Sequence, residues 1–288
     1  MFDLRYHVAS LAAVFVALLI GILVGVAMSG KVDDAEKRSL QSDVNRLEAQ
    51  LDAASERRAN GTREQKAFQV FVRNAYPALI ADRLSDKRIA IVFVGPVDPA
   101  VRRDIQRAIE DAGASTPVRI RALKVPVDPR RIDGELDGDL AEYKTDFGAL
   151  GGELARELVD GGDTPAWDAL TPFIVEEKSG SFRRPVDGVV VARTVRAQQG
   201  DTSELLKGFY STLADIDVPT IGVEPSSVSQ SAVGTWSSSG MSTVDDIETP
   251  AGRLSLALLL SGSTIGNYGL KETADDGIVP PVEPQPSE

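Results

Sequence analysis

One group of residues that could do chemistry lies near the C-terminal end of the sequence and consists of Asp245, Asp246 and Glu248. Carboxylate oxygens are the ligands that hard cations such as Ca2+ and Mg2+ prefer. However, Thr249 and Pro250 follow directly, and they predict the N-cap and first residue of a helix. Because negative charge is favourable at a helix N-terminus without any metal, a structural role is the favoured interpretation.

The sequence offers few ligands for a soft metal. It contains no Cys, one His and three Met, so disulfides, thiolate zinc sites and iron–sulfur clusters are excluded. Copper(I) prefers thiolate, thioether or imidazole ligands, for which the candidates are His7, Met28 and Met241. Because Met28 falls in an apolar segment and Met241 in a distant loop, we expect no metal site and no bound cofactor.

Catalytic motifs are absent from the sequence. It has no Gly-rich phosphate loop and no G-x-S-x-G motif, and a Ser–His pair would have to use His7. Residues 95–99, Gly-Pro-Val-Asp-Pro, follow a predicted strand at the position where open α/β sheets bind ligands. A turn with Asp98 as a helix N-cap is the favoured interpretation of this segment. We therefore do not expect an enzyme.

The charge of the chain limits the classes of partner. The formal net charge is −12 and the sequence pI is about 4.7. This balance argues against nucleic acid as a partner and against electrostatic attraction to anionic lipid.

An apolar segment, residues 8–29, contains no charged side chain. At about 1.5 Å per residue it can cross a hydrocarbon core of about 30 Å as a helix. It is longer than the apolar core of a cleaved signal peptide, so we predict that residues 1–30 are a retained transmembrane anchor in the lipid bilayer. Gly21 and Gly25 form a GxxxG pair that would let a second helix pack closely, although Gly is common in membrane helices.

Residues 31–60 are highly charged and carry a sparse apolar seam with heptad spacing. The seam predicts a short coiled-coil stalk, which the anchor would strengthen by holding two copies side by side as a homodimer. A single solvated helix is the alternative. Residues 60–62, Asn-Gly-Thr, are expected to break the stalk. The main seam residues are Leu40, Val44, Leu47 and Leu51.

Residues 61–270 alternate between apolar runs and amphipathic segments, which predicts an α/β domain with a mainly parallel sheet flanked by helices. Residues 137–160 are predicted to be mostly helical, and the pairs Gly151-Gly152 and Gly161-Gly162 are expected to interrupt or end this helix. Residues 271–288 are acidic and Pro-rich and are predicted to be disordered. The predicted strands are residues 88–94, 118–125, 187–192 and 218–223.

Two separated motifs carry a family resemblance. The first is Leu-Arg-x-His-x-x-Ser-Leu-Ala-Ala-Val-Phe at residues 4–15, and the second is Ser-Thr-Val-Asp-Asp-Ile at residues 242–247, followed by Gly-Arg at 252–253 and Gly-Asn-Tyr-Gly at 266–269. In this order they resemble the actinobacterial MctB family of copper transport proteins. The resemblance marks a candidate functional surface formed by Thr243, Asp245, Asp246, Arg253 and Tyr268.

The resemblance implies a single-pass protein of the plasma membrane whose main domain lies outside the cytoplasm. The Lys and Arg residues near the anchor favour the opposite orientation, and we follow the resemblance. It also implies a role in copper homeostasis, which a chain without Cys would perform through unidentified envelope proteins. The alternative is a scaffold of the cell envelope or division apparatus with no metal role. Arg253 and Asp245 could also pair simply to fix a loop onto a helix.

Overall fold

The structure, a computed structural model, describes residues 4–28, 34–114, 117–262 and 264–282. The chain divides into two compact units, residues 1–69 and residues 70–288. The predicted boundaries at residues 30 and 31 lie outside the described residues, as do residues 283–288 of the predicted tail.

Two long helices begin in the first unit. They are α1 (Leu4–Met28) and α2 (Asp34–Ile80). In the part of the chain that the structure describes, no helix combines the length and the apolar character needed to cross a membrane. The predicted transmembrane anchor is therefore not confirmed.

Helix α2 corrects the predicted break at residues 60–62, because it continues through them without interruption. A single interior Gly costs about 1 kcal/mol relative to Ala. Gly61 lies between segments rich in Ala, Glu, Gln, Lys and Arg, which are good helix formers, and no Pro is nearby. The favourable propensity on both sides outweighs this single unfavourable residue.

The predicted packing residues of the first unit lie on its two helices. Gly21 and Gly25 are exposed on α1, and a Cβ added to either would meet no atom within 4 Å. On α2, Val44 is half-buried, whereas Leu47 and Leu51 are 48% and 67% exposed. The side chain of Leu40 lies outside those described. The structure does not show a coiled coil, so the pairing of two helices stays a prediction.

A single sheet organises the second unit. Its order is β3-β2-β1-β4-β5-β6-β7, and every neighbouring pair is parallel except β2 and β3. The predicted mainly parallel sheet is thus confirmed. Three of its strands were not predicted, namely β3 and the two shortest strands, which lie within the second sequence motif. The strands are β1 (Ile89–Val94), β2 (Arg119–Leu123), β3 (Val175–Gly180), β4 (Gly188–Arg193), β5 (Thr220–Val223), β6 (Ser242–Val244) and β7 (Asn267–Tyr268).

Helices cover both faces of this sheet and bury two apolar layers. One layer contains the end of α2 together with α3 and α9, and the other contains α4 to α8. Central strands such as β1 and β4 are buried on both faces, which explains their continuous apolar sequence. The helices are α3 (Pro99–Asp111), α4 (Pro129–Asp133), α5 (Phe147–Asp160), α6 (Pro165–Ile174), α7 (Gly200–Asp215), α8 (Val233–Ser238) and α9 (Pro250–Leu260), with a 3₁₀ helix at Gly138–Thr145.

Glycines allow α5 and α7 to approach closely. A Cβ at Gly151 would overlap the carbonyl oxygen of Leu205 on α7. The predicted interruption of the helix at this point is therefore wrong. The absence of a side chain at Gly151 lets α7 pack closely against α5, and α5 continues through this residue.

The first part of the tail is also ordered, which corrects the predicted disorder from residue 271 onward. The Gly269 amide donates to the Gly277 carbonyl at 2.9 Å. The Ser255 hydroxyl, on the buried helix α9, donates to the Ile278 carbonyl at 3.2 Å. Residues 271–282 pack against the domain because polar groups of the domain form hydrogen bonds with their backbone. The composition of the tail does not indicate these hydrogen bonds.

Candidate functional site

The order of the strands reverses between β1 and β4, and a crevice lies at the carboxyl ends of these strands. Chain connections lead away from this point to β2 on one side and to β5 on the other. In open α/β sheets, this is where ligands bind. The loops after β1, β4 and β5 border an open cavity of about 380 Å³ there, lined by residues that include Asp98, Arg193, Thr194, Arg196, Ser227 and Ser229.

The floor of the crevice depends on a close approach between the loops after β1 and β4. Gly95 has a φ of +102°, and a Cβ there would lie 2.5 Å from Val195 Cγ1. Only Gly combines this positive φ with so close a neighbour. The Thr194 hydroxyl then donates to the Pro96 carbonyl at 2.6 Å, which fixes the two loops together.

Asp98 has the structural role that the sequence predicts. Its Oδ1 accepts from the amides of Ala100 and Val101 at 2.8 and 3.1 Å, which makes it the N-cap of α3. The turn and N-cap at this position are confirmed. The carboxylate of Asp98 is therefore directed at the first turn of α3 while it also lines the crevice.

Two arginines bring positive charge to the same crevice. Arg193 Nη2 donates to the carbonyls of Gln230 and Ser231 at 3.0 and 3.1 Å. Arg196 is exposed, and its guanidinium has neither a hydrogen bond nor an ion pair within the described residues. Sequence analysis missed both residues, although Arg193 ends the buried strand β4 and Arg196 follows it closely, which is a usable signal.

Glu224 holds the loop after β5 and is the main polar residue that sequence analysis missed. It is 1% exposed. Its carboxylate accepts from the Ser231 hydroxyl at 2.6 Å and from the Ala232 amide at 2.7 Å. The ammonium of Lys271 lies 2.5 Å from Glu224 Oε1 and supplies the balancing charge. An acidic residue directly after a buried strand is the sequence signal for this role.

Asp245, at the carboxyl end of β6, holds the segment after β7. It is 1% exposed. Its Oδ1 accepts from the Leu270 amide at 2.7 Å, and its Oδ2 accepts from the Lys271 amide at 3.2 Å. Gly269, with a φ of +144°, lies so close that a Cβ there would overlap Asp245 Oδ1. Asp245 therefore places the backbone from which Lys271 reaches Glu224.

Asp246 is fully buried beside the N-terminus of α9. Its Oδ2 accepts from the Thr249 hydroxyl at 2.8 Å, and the same hydroxyl accepts from the Gly252 amide as the cap of α9. Its Oδ1 is buried without a hydrogen bond in the described part of the chain. Burial raises the pKa of Asp246 to about 6.

Arg253 joins α9 to α3 and to the end of α2. Its Nη1 donates to the Glu248 carbonyl at 2.9 Å and lies 3.9 Å from Asp104 Oδ1. The guanidinium carbon lies 5.7 Å from the ring centroid of Tyr76. The suggested pairing of Arg253 with Asp245 is thus replaced by pairing with Asp104, because Asp245 is directed at the backbone after β7.

All five residues of the proposed motif surface are buried, with exposed fractions of 9% or less. Thr243 donates from its hydroxyl to Asn267 Oδ1 at 2.8 Å, and Tyr268 accepts through its carbonyl from the Asp245 amide at 3.1 Å. The residues predicted to form a functional surface therefore lie inside the domain. Together with Glu224 and Lys271 these five residues make up the internal polar cluster, which is Glu224, Thr243, Asp245, Asp246, Arg253, Tyr268 and Lys271. A functional role for this cluster stays a prediction.

The donors of the described residues do not suit copper(I). No group of three or more His, Cys, Asp and Glu residues is placed to hold a metal ion in residues 4–28, 34–114, 117–262 and 264–282. The thioether of Met241 is 4% exposed and packs in the layer that contains α4 to α8. Cys is absent from the whole sequence.

Asp246 makes stability depend on pH. In the unfolded chain the Asp246 carboxyl group has a pKa of about 3.9 and loses its proton above that pH. In the folded chain the same group keeps its proton up to about pH 6. Stability therefore falls as pH rises through this window and levels off above it. Asp246→Asn should remove this pH dependence. The free energy of unfolding of the variant, relative to that of wild type, should therefore rise by about 2 to 3 kcal/mol between pH 4 and pH 7. Urea denaturation across this range measures the difference.

The exposed Asp217→Asn variant controls for the loss of a negative charge. A gap between wild type and Asp246→Asn that stays constant from pH 4 to pH 7 would contradict this assignment, because a constant gap means that Asp246 does not titrate differently in the two states.

Comparison with known proteins identifies the family. The sequence model of a family described as "Copper transport outer membrane protein, MctB" matches residues 1–279. Proteins named Copper transporter MctB, from Mycobacterium bovis and from Mycobacterium tuberculosis strains including H37Rv, are 25% identical to this chain. The matches cover 93% of this chain and 96% of each relative. The chain therefore belongs to the MctB family.

Proposed function

We propose that this protein takes part in copper homeostasis in the cell envelope and acts through partner proteins. The observation that carries the proposal is the family match over residues 1–279. The relatives that are named copper transporters also align with this chain over nearly their whole length. A match of this extent includes both units of the chain, so it is not limited to one shared motif.

The proposed dependence on partners rests on the ligands that copper prefers. Copper(I) is bound best by thiolate, thioether and imidazole groups. The chain has no Cys, and the thioether of Met241 is buried in an apolar layer. We therefore assign copper coordination to other envelope proteins, with this chain as the component that organises them.

We also propose that α1 attaches the protein to a membrane, with the second unit outside the cytoplasm. Support comes from residues 8–29, which carry no charge, and from the large apolar side chains exposed along α1. Leu11, Phe15 and Leu18 are 67%, 62% and 58% exposed, and a lipid environment would remove this apolar surface from water.

A parallel homodimer is proposed for the first unit. The apolar residues Leu47 and Leu51 are exposed and fall on one face of α2 with heptad spacing. Gly21 and Gly25 leave open space on α1 for a second helix. Attachment of two chains to one membrane would raise their effective concentration and favour pairing of a short seam.

Deletion of the gene should lower copper tolerance, and expression of the wild-type chain should restore it. The purified full-length chain should not compete for copper(I) with a chromophoric chelator, because it has no Cys and only one His and three Met as possible ligands. Met241→Leu, which changes a buried thioether to an alkyl group of similar volume, should restore tolerance fully.

Unchanged tolerance in the deletion strain would contradict the copper role and favour a scaffold without a metal role. Tight copper(I) binding by the wild-type chain would contradict the dependence on partners, and its loss in a stable Met241→Leu variant would assign the site to Met241. Growth at matched zinc concentrations controls for general metal stress.

Leu47→Cys or Leu51→Cys should form a dimer when intact spheroplasts are treated with a membrane-impermeant thiol cross-linker. The native chain has no Cys, so every product reports the introduced position. Ala49→Cys, on the opposite side of the heptad, is the control and should cross-link less. Electrophoresis of the full-length chain measures the product.

Dimers that form only with a permeant reagent would reverse the proposed orientation. Absence of a dimer at both seam positions with either reagent would reject the parallel pairing.

A further inference from the structure

We infer that the crevice at the carboxyl ends of β1, β4 and β5 binds a small phosphate-bearing ligand through Arg193 and Arg196. The cavity has a volume of about 380 Å³, which falls in the range of small-molecule sites. It also lies at the switch point of the strand order, where the loops diverge and leave room for a ligand. This inference is independent of the proposed role in copper homeostasis.

The charge of the crevice points to an anion. Arg193 uses its guanidinium only for backbone carbonyls, and Arg196 has no side-chain partner in the part of the chain described. Neither guanidinium group pairs with a carboxylate within the described residues, so both can offer their charge to a ligand in the crevice. Asp98, the acidic residue in the lining, is bonded through Oδ1 to amides of the first turn of α3.

The neutral donors of the crevice favour phosphate over a carboxylate. Ser227 and Ser229 line the cavity, are exposed, and have no side-chain hydrogen bond within the described residues. Their hydroxyls add two donors to those of the guanidinium groups. A phosphate group offers three or more oxygens to such a set, and arginine matches it with paired N–H groups.

The loop that supplies these hydroxyls is already held in place. The Ser226 amide donates to both carboxylate oxygens of Glu248 at 3.1 and 3.2 Å. At the other end of the loop, Glu224 accepts from Ser231 and Ala232. Because both ends are fixed before a ligand arrives, binding would not have to order the loop.

Calorimetric titration of the full-length protein in non-ionic detergent tests the inference, with inorganic phosphate and glycerol 1-phosphate as probes. Wild type should bind at least one of them saturably at constant ionic strength. Arg196→Gln should weaken the binding about tenfold or more, since it removes charged hydrogen bonds. Arg193→Gln should also weaken it. Arg107→Gln, an exposed residue of α3 outside the cavity lining, should bind like wild type.

Dihexanoyl phosphatidylglycerol, a short-chain phosphodiester lipid, separates the two sources of such a group. Tighter binding of this lipid than of glycerol 1-phosphate identifies a lipid headgroup as the ligand, and the reverse identifies a soluble phosphate monoester. Either result supports the site, provided that Arg196→Gln weakens the binding and the variant melts at the wild-type temperature. The inference is overturned if wild type binds none of the probes, or if Arg196→Gln binds them as tightly as wild type.

Discussion

The ion pair between Glu224 and Lys271 is the interaction on which the C-terminal half of the domain depends. Glu224 is almost completely buried, and a lone carboxylate there would be strongly unfavourable. Lys271 removes this penalty with an ammonium 2.5 Å away, and it does so from a segment 47 residues further along the chain. The end of β5, the Ser-rich loop and the segment after β7 are therefore fixed to one another.

The other members of the internal polar cluster serve the same arrangement. Asp245 places the backbone of residues 270–271, Asp246 and Thr249 begin α9, and Arg253 holds α9 against α3. The second of the two motifs that carry the family resemblance thus lies inside the domain. The surface that it supports is the crevice, whose lining comes from loops without any recognised motif.

Local sequence signals predicted much of the fold. The continuous apolar runs indicated the buried strands β1, β2, β4 and β5, and Asp98 and Thr249 marked the starts of α3 and α9. Contacts across long sequence distances were not predictable in this way. The pairing of Glu224 with Lys271, the ordered tail and the two-residue strand β7 depend on neighbours that only the folded chain brings together. The predictions at Gly61 and Gly151 are wrong because both glycines lie within continuous helices, whereas Gly was taken to interrupt a helix.

The coupling energy between Glu224→Gln and Lys271→Met in urea denaturation tests this account most directly. Lys271→Met alone should lower the free energy of unfolding by about 2 to 4 kcal/mol, because it leaves a buried carboxylate without its partner. With Glu224→Gln also present, the loss should be smaller by about 1 kcal/mol or more. The exposed Lys207→Met variant should change little. Additive effects, or a Lys271→Met variant as stable as Lys207→Met, would contradict the account.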